Sequence, residues 1–211
     1  TEIIWKVNFE LSSYGGALGT IFLGYDYTSY KPDYVPASWI LQLYPANDRR
    51  YEAFFETQTT GYSHGLTWPL LKKYAGNRNF INSQILFVSM PKPFRLSEMY
   101  LIRAEAYSRC SRHLYSEASK DITTLRTARY ASYATASITE NNWQEVIGDE
   151  RVKELYMEGF RLMDLKRWHK GFERKSQSNT VSPSNGLKID KNNPLFVWPI
   201  PQHELETPGA E

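Results

Sequence analysis

The reading of residues 150–171, ERVKELYMEGFRLMDLKRWHKG, decides the fold. The stretch interleaves Glu150, Glu154, Glu158 and Asp164 with Arg151, Arg161 and Arg167. An enzyme uses carboxylates in unlike environments as acid and base. A helical scaffold holds them in ion pairs. On a helical wheel of about 100° per residue, Val152, Leu155, Tyr156, Phe160 and Met163 share one face. Glu150, Glu154 and Arg161 cluster on the other, with Glu158 close by. Glutamates at i and i+4 repel each other on a bare helix, so arginines must answer them. Arg103, Arg126, Arg151 and Arg161 are the candidates. Carboxylates alternating with arginines are held ionised, which is poor for a general acid, and the ion-pair reading is favoured. Gly159 costs about 1 kcal/mol relative to Ala inside a helix. It marks a bend or a close packing contact.

The rest of the composition narrows the class. The chain has 211 residues, enough for one sizeable core or for a piece of a larger protein. With 41% hydrophobic and 23% charged residues it belongs with globular proteins. A net charge of +2 argues against nucleic acid, which asks for a concentrated basic face. The lone Cys110 excludes an internal disulfide and a thiolate zinc site, and is most simply a small buried hydrophobe. His64, His113, His169 and His203 show no metal-ligand spacing, and no cofactor or metal is expected. No G-x-S-x-G elbow or phosphate loop occurs. The opening TEIIWKVNFE has no leader character, so any secretion signal lies outside these residues. The aromatic fraction is 15%, with 15 Tyr and 6 Trp. Phenols need hydrogen-bond partners when buried, so this excess points either to contact surfaces or to a Tyr-rich core with hydroxyls at its boundary.

Along the chain, EIIWKVNF (2–9) reads as a short buried strand. The glycine- and tyrosine-rich segment up to Ser38 holds neither helical nor strand period and reads as a long loop. Residues 37–50 carry a short helix with Trp39, Ile40 and Leu43 on one side, ended by Pro45. Residues 51–94 read as an irregular connection. Ser97 is placed as the cap of a helix starting at Glu98, with Leu96 and Leu101 as its hydrophobic staple. A second helix spans 115–129, with Ala118, Ile122 and Leu125 on one face, antiparallel to the first. Small Ala104 and Ala106 permit close approach. A third starts near Thr139, with Ile138 and Trp143 as staple, and runs into the opening stretch. Beyond 172 come a polar Ser/Asn-rich loop and PLFVWPIPQHEL, whose prolines make it an extended edge segment or docking tail.

Taken in order, LSEMYLIRAEAYSR, EASKDITTLRTAR, ERVKELYMEGFRLMDLKRW and VWPIPQHEL resemble the successive signatures of the SusD/RagB family of nutrient-binding outer-membrane lipoproteins of Bacteroidetes. EIIWKVNF and LYPANDRR resemble that family's mid-chain strand and Asp-Arg element. The resemblance runs over nearly the whole chain and corresponds to the C-terminal half of a typical member. It implies a mostly α fold with tetratricopeptide-like helix pairs, long irregular loops and a few short strands. It implies binding of a glycan or other nutrient at the cell surface, without catalysis. It also implies a TonB-dependent transporter of the SusC type as partner and a lipid anchor outside this chain. Glu150, Arg151, Glu154, Glu158, Arg161, Asp164 and Arg167 are then structural ion pairs. Residues 1–94 are expected to contribute to ligand binding and 95–211 to form the helical region with its docking tail, within one structural domain. The chain lacks a lipidation cysteine near its start, the N-terminal helix pairs and an Asn-rich closing segment, which fits either a fragment or a short member.

Sugars present flat C–H faces to aromatic rings and hydroxyls to planar polar groups. The candidate ligand residues are Tyr25, Tyr27, Tyr30, Tyr34 and Trp39, with Asp26 and Asp33 as hydroxyl acceptors. The loop tyrosines fit a ligand surface and loop packing equally well; Trp39, on an apolar helix face, fits packing better. Two other readings compete: a helical interaction module whose only partner is a protein, and a glycosidase using Glu150 or Glu158.

Overall fold

In the computed structural model, residues 2–62, 65–132, 134–176 and 186–206 are described. His64, most of the polar loop after 172 (177–185) and the closing residues 207–211 lie outside them.

Two long helices, α5 (Leu96–Arg109) and α6 (Tyr115–Arg129), lie antiparallel across a five-residue turn. Arg103 clamps Asp121 with two hydrogen bonds of 2.8 and 2.6 Å, which sets their register. Leu101, Ala104, Ala118 and Ile122 are fully buried between them, and Ile147 of α7 (Trp143–Glu154) closes the same core. Each buried Leu or Ile of this kind contributes about 1.5–3 kcal/mol through the apolar surface it removes from water. Ala104 and Ala118 have no bulk beyond Cβ, so the helix axes can approach. The segment before α7 is also anchored here, since Ile138 and Trp143 pack on this core.

Ahead of this bundle lie short elements: β1 (Ile3–Trp5), α1 (Thr20–Leu23), α2 (Ser38–Gln42), α3 (Arg49–Phe54), β2 (Phe55–Thr59), β3 (Thr67–Leu71), α4 (Arg78–Asn82) and β4 (Phe94–Arg95). β2 and β3 form an antiparallel hairpin running from Phe55↔Leu71 to Thr59↔Thr67. Leu70 and Leu71 are both fully buried because successive strand side chains point to opposite faces. Leu70 enters a cluster with Leu23 and Phe87, and Leu71 one with Phe22, Ile40 and Phe55. After α7 come α8 (Arg161–Arg167), a small hairpin of β5 (Phe172–Arg174) and β6 (Leu187–Ile189), a 3₁₀ turn (Pro194–Phe196) and α9 (Gln202–Leu205).

Several sequence expectations are corrected. β1 is three residues long and exposed; Ile4 and Trp5 face solvent, and the strand pairs with β4 at an edge. Residues 51–94 hold a hairpin and helices rather than an irregular connection. Pro69 is admitted in β3 because a two-stranded hairpin has a free edge. Ser97 lies inside α5, not at its cap, and its buried hydroxyl has no hydrogen-bond partner among the described residues. α7 begins at Trp143, because Thr139 to Asn142 form a turn in which Asn142 Oδ1 accepts from the Thr139 amide at 2.7 Å. The continuous helix expected over 150–164 is broken after Glu154. Gly159 adopts φ +89° and Met157 φ +57°, left-handed values that end a helix. Met163 is therefore turned out to solvent. A Cβ on Gly159 would touch nothing, so that glycine serves the bend and not a close contact.

Candidate functional site

The tyrosine segment is built around a tight turn. α1 ends at Gly24, whose φ of +54° is left-handed. A Cβ there would lie 2.2 Å from the Lys31 carbonyl oxygen, so only glycine lets the two strands of the loop meet. Tyr25 and Tyr30 then pair as an antiparallel bridge, and Tyr30 also bridges Thr60 of the hairpin. Asp26 closes the turn. Its Oδ1 accepts from the Thr28 amide at 3.0 Å, the Thr28 hydroxyl at 2.6 Å and the Ser29 amide at 2.8 Å, while Oδ2 accepts from Lys31 at 3.1 Å. The Thr28 hydroxyl and Ser29 amide bonds, with Lys31, hold the carboxyl far below its ordinary range. Asp26 is thereby spent inside the loop rather than left to a sugar hydroxyl. Asp33 stays exposed.

Three rings form a ribbon on this turn. Tyr25 and Tyr30 lie 4.8 Å apart between centroids, and Tyr25 and Tyr27 6.1 Å. Tyr25 and Tyr30 also pack on the Leu23–Leu70–Phe87 cluster, which ties the ribbon to the core. Tyr27 has φ +69°, a conformation that costs a bulky L residue about 1–3 kcal/mol, and is 68% exposed. Tyr34 and Trp39 are exposed too, but neither makes a ring contact with the ribbon among the described residues. The five residues singled out in the sequence thus divide into a joined trio and two separate rings. The exposure of Trp39 corrects its expected place on a core face: only Ile40 of α2 is buried.

The opening charged stretch forms a network. Arg50 is its hub. It donates to Asp48 Oδ1 at 2.9 Å and Oδ2 at 2.7 Å, to Glu150 at 2.7 Å and to Glu154 at 3.1 Å. Asp48 also caps α3 by accepting from the Arg50 amide. Glu150 takes Arg126 at 2.8 Å and Lys153 at 3.1 Å. Glu154 takes Arg129 at 2.8 Å and Arg95 at 3.1 Å. Glu158, farther out, takes Arg95 at 2.7 Å and Lys73. Burial pushes Glu154 up, but the hydrogen bond and charge of Arg129, with Arg50 and Arg95, outweigh it and bring the carboxyl down to about 2. Glu150 is lowered in the same way: burial raises it, and Arg50, Lys153 and Arg126 more than offset that. Arg151 donates to Asp164 at 2.8 Å, and Arg167 reaches Asp164 and Glu105, so the second part of the stretch binds α8 to α5.

Of the four arginines expected to answer the glutamates, only Arg126 does so. Arg103 and Arg151 serve Asp121 and Asp164. Arg161 is corrected outright: it is exposed and joins no ion pair among the described residues. It opens α8 after the bend, where the helix-wheel projection no longer holds. The main partners missed were Arg50, Arg95 and Arg129, which come from other elements. Only Arg50 carried a signal, the Asp48–Arg49–Arg50 run after Pro45.

Among the described residues no group of His, Cys, Asp and Glu is placed to hold a metal ion, and no helix is long and apolar enough to cross a membrane.

Comparison with known proteins agrees with this architecture. The SusD family model matches residues 24–209. A SusD-like carbohydrate binding protein from Bacteroides vulgatus superposes with a TM-score of 0.69 at 21% identity, over 97% of this chain and 47% of its own. A SusD superfamily protein from Bacteroides thetaiotaomicron gives 0.69 at 20% identity, over 97% and 46%. A surface glycan-binding protein A from Bacteroides uniformis gives 0.53 at 20% identity, over 79% and 38%. At these identities the likeness is one of fold, and the chain spans about half the length of the first two structures. No curated protein matches. With the family model covering most of the sequence and the helical fold agreeing with it, the chain belongs to the SusD family.

Proposed function

We propose that this protein binds a glycan or another small nutrient at the bacterial surface, without catalysis, for import through a partner transporter. The observation that carries the reading is the tyrosine ribbon. Tyr27 is held outward in a costly backbone conformation while Tyr25 and Tyr30 anchor it to the core. Strain of this kind persists where the surrounding structure enforces it, and it gathers at ligand sites. An exposed phenol on a rigid turn offers a flat face for sugar C–H groups and loses little entropy on binding. Family membership supports the same reading, as do the carbohydrate- and glycan-binding names of two of the matched structures.

The non-catalytic part of the proposal is supported by the network. Glu150 and Glu154 are buried and each is answered by several cations, so neither has the freedom to be protonated and to deliver that proton near neutral pH. In this proposal residues up to 94 carry the ligand surface and the later residues the helical frame. Arg50, Lys73 and Glu2 reach into the frame's network, favouring one structural domain. A SusC-type TonB-dependent transporter as partner, an outer-membrane location and a lipid anchor outside this chain complete the proposal, on the strength of the family. Calorimetric titration with a panel of neutral and acidic oligosaccharides, alongside a reducing-end assay, tests it. Binding without release of reducing ends is expected. Release that disappears in Glu150→Gln would establish a hydrolase instead.

A further inference from the structure

A second concave surface lies apart from the tyrosine ribbon and shares no lining residue with it. It is a cleft of about 850 Å³ bounded by β1, β4, residues 89–93 and the bend at 157–160. That volume falls within the range of small-molecule sites. Phe9, Phe54, Tyr74 and Pro91 give apolar walls, and the floor holds Lys73, Arg95 and Glu158.

The charges in the floor are unequal in what they have left to offer. Arg95 uses every N–H of its guanidinium side on Glu2, Glu154 and Glu158. Glu158 accepts from Arg95 through both oxygens and from Lys73. Glu2 accepts from Arg95 and Arg129. Lys73 donates to Glu158 and to the Tyr156 carbonyl at 3.1 Å, which leaves one N–H of a three-donor ammonium without a partner among the described residues. Its nitrogen lies 4.4 Å from the Phe54 ring centroid and 6.0 Å from that of Tyr74, so cation and aromatic faces meet at one point of the cleft. Among the described residues the connected network has six cations (Arg50, Lys73, Arg95, Arg126, Arg129 and Lys153) against five carboxylates (Glu2, Asp48, Glu150, Glu154 and Glu158). Lys92 adds a further positive charge at the rim. Desolvation, with the like charge of Arg95, pulls the Lys73 ammonium below its ordinary value even beside Glu158.

We infer that this cleft is a binding site for a small carboxylated ligand with a flat C–H face, the class of the acidic monosaccharides, with Lys73 and Lys92 receiving the carboxylate and Phe54 and Tyr74 the ring. The inference stands independently of the tyrosine ribbon.

The test is an NMR titration of the 211-residue chain with sodium D-glucuronate and, separately, with D-glucose. Glucuronate is expected to bind at least about tenfold more tightly. Gly16 lines the cleft, and a Cβ there would meet nothing within 4 Å, so Gly16→Phe adds a ring at the cleft wall without a clash at Cβ. That variant is expected to weaken glucuronate binding, and Lys73→Met to remove the preference for the acid. If Lys73→Met does not fold, Gly16→Phe and the two ligands decide the matter. Equal affinity for glucose and glucuronate, no binding of glucuronate, or a preference for glucuronate that survives Gly16→Phe would each overturn the assignment.

Discussion

Arg50 Nη2 lies 2.7 Å from Glu150 Oε1, although the two residues are 100 positions apart. Both side chains are buried. This contact joins the short helix after Pro45 to the last helix of the bundle, and through it the elements before residue 94 to the helical frame. A buried pair of this kind adds little net stability over an apolar replacement, but removing one partner strands the other in a low-dielectric interior.

Replacing Arg50 with Ala is therefore expected to cost about 3–5 kcal/mol, and Glu154→Ala a similar amount, measured by urea unfolding. Glu158→Ala should cost less, because Glu158 and its partner Lys73 are each 14% exposed and water can partly replace the lost charge. A larger loss for Glu158 than for Glu154 contradicts this order.

Acid should loosen the network in a definite window. The Glu154 carboxyl falls from an ordinary value of 4.5 to about 2 in the folded chain. The unfolded state then binds its proton first, so stability from this group is present above about pH 4.5 and is lost as pH falls toward about 2. The loss amounts to about 3 kcal/mol. In Glu154→Gln that part of the acid sensitivity should vanish; an unchanged pH profile would show that Glu154 does not carry it.

Much of this fold is legible in the sequence, and the illegible parts have definite causes. α5 and α6 follow from their apolar spacing and short turn, because local periodicity fixes a helix. The break after Glu154 is masked, because apolar residues continue in helical register through Phe160 while Gly159 and Met157 reverse the backbone. The β2–β3 hairpin is hidden because Leu70 and Leu71 face separate clusters, which erases the alternation that marks a half-exposed strand. The tyrosine segment announces itself by composition alone. Its grouping of Tyr25, Tyr27 and Tyr30 depends on Gly24 and Asp26, whose roles appear only when Lys31 is brought back against them.

Gly24→Ala should be among the most disruptive changes near the ribbon. It combines a left-handed backbone with a 2.2 Å clash against the Lys31 carbonyl, an atom with little freedom to yield. A loss of at least about 2 kcal/mol is expected. Gly159→Ala meets no neighbour, so only the cost of an L residue at left-handed φ applies, about 1–2 kcal/mol. Thermal melts of the two variants side by side check the difference.

Tyr25 and Tyr30 should behave differently from Tyr27. The first two pack on the core, so their replacement by Ala is expected to lower the melting temperature as well as affinity. Tyr27 is exposed and should affect binding alone.

The most direct measurement of the account is the dissociation constant of Tyr27→Ala for whichever oligosaccharide of the panel binds the unmodified chain, with the melting temperature taken on the same sample. Loss of one stacking ring is expected to cost about 1–2 kcal/mol, roughly a tenfold weaker dissociation constant, with the melting temperature unchanged. An affinity that stays the same when Tyr27 is replaced, or that falls only in step with stability, contradicts the claim that the ribbon is the ligand surface.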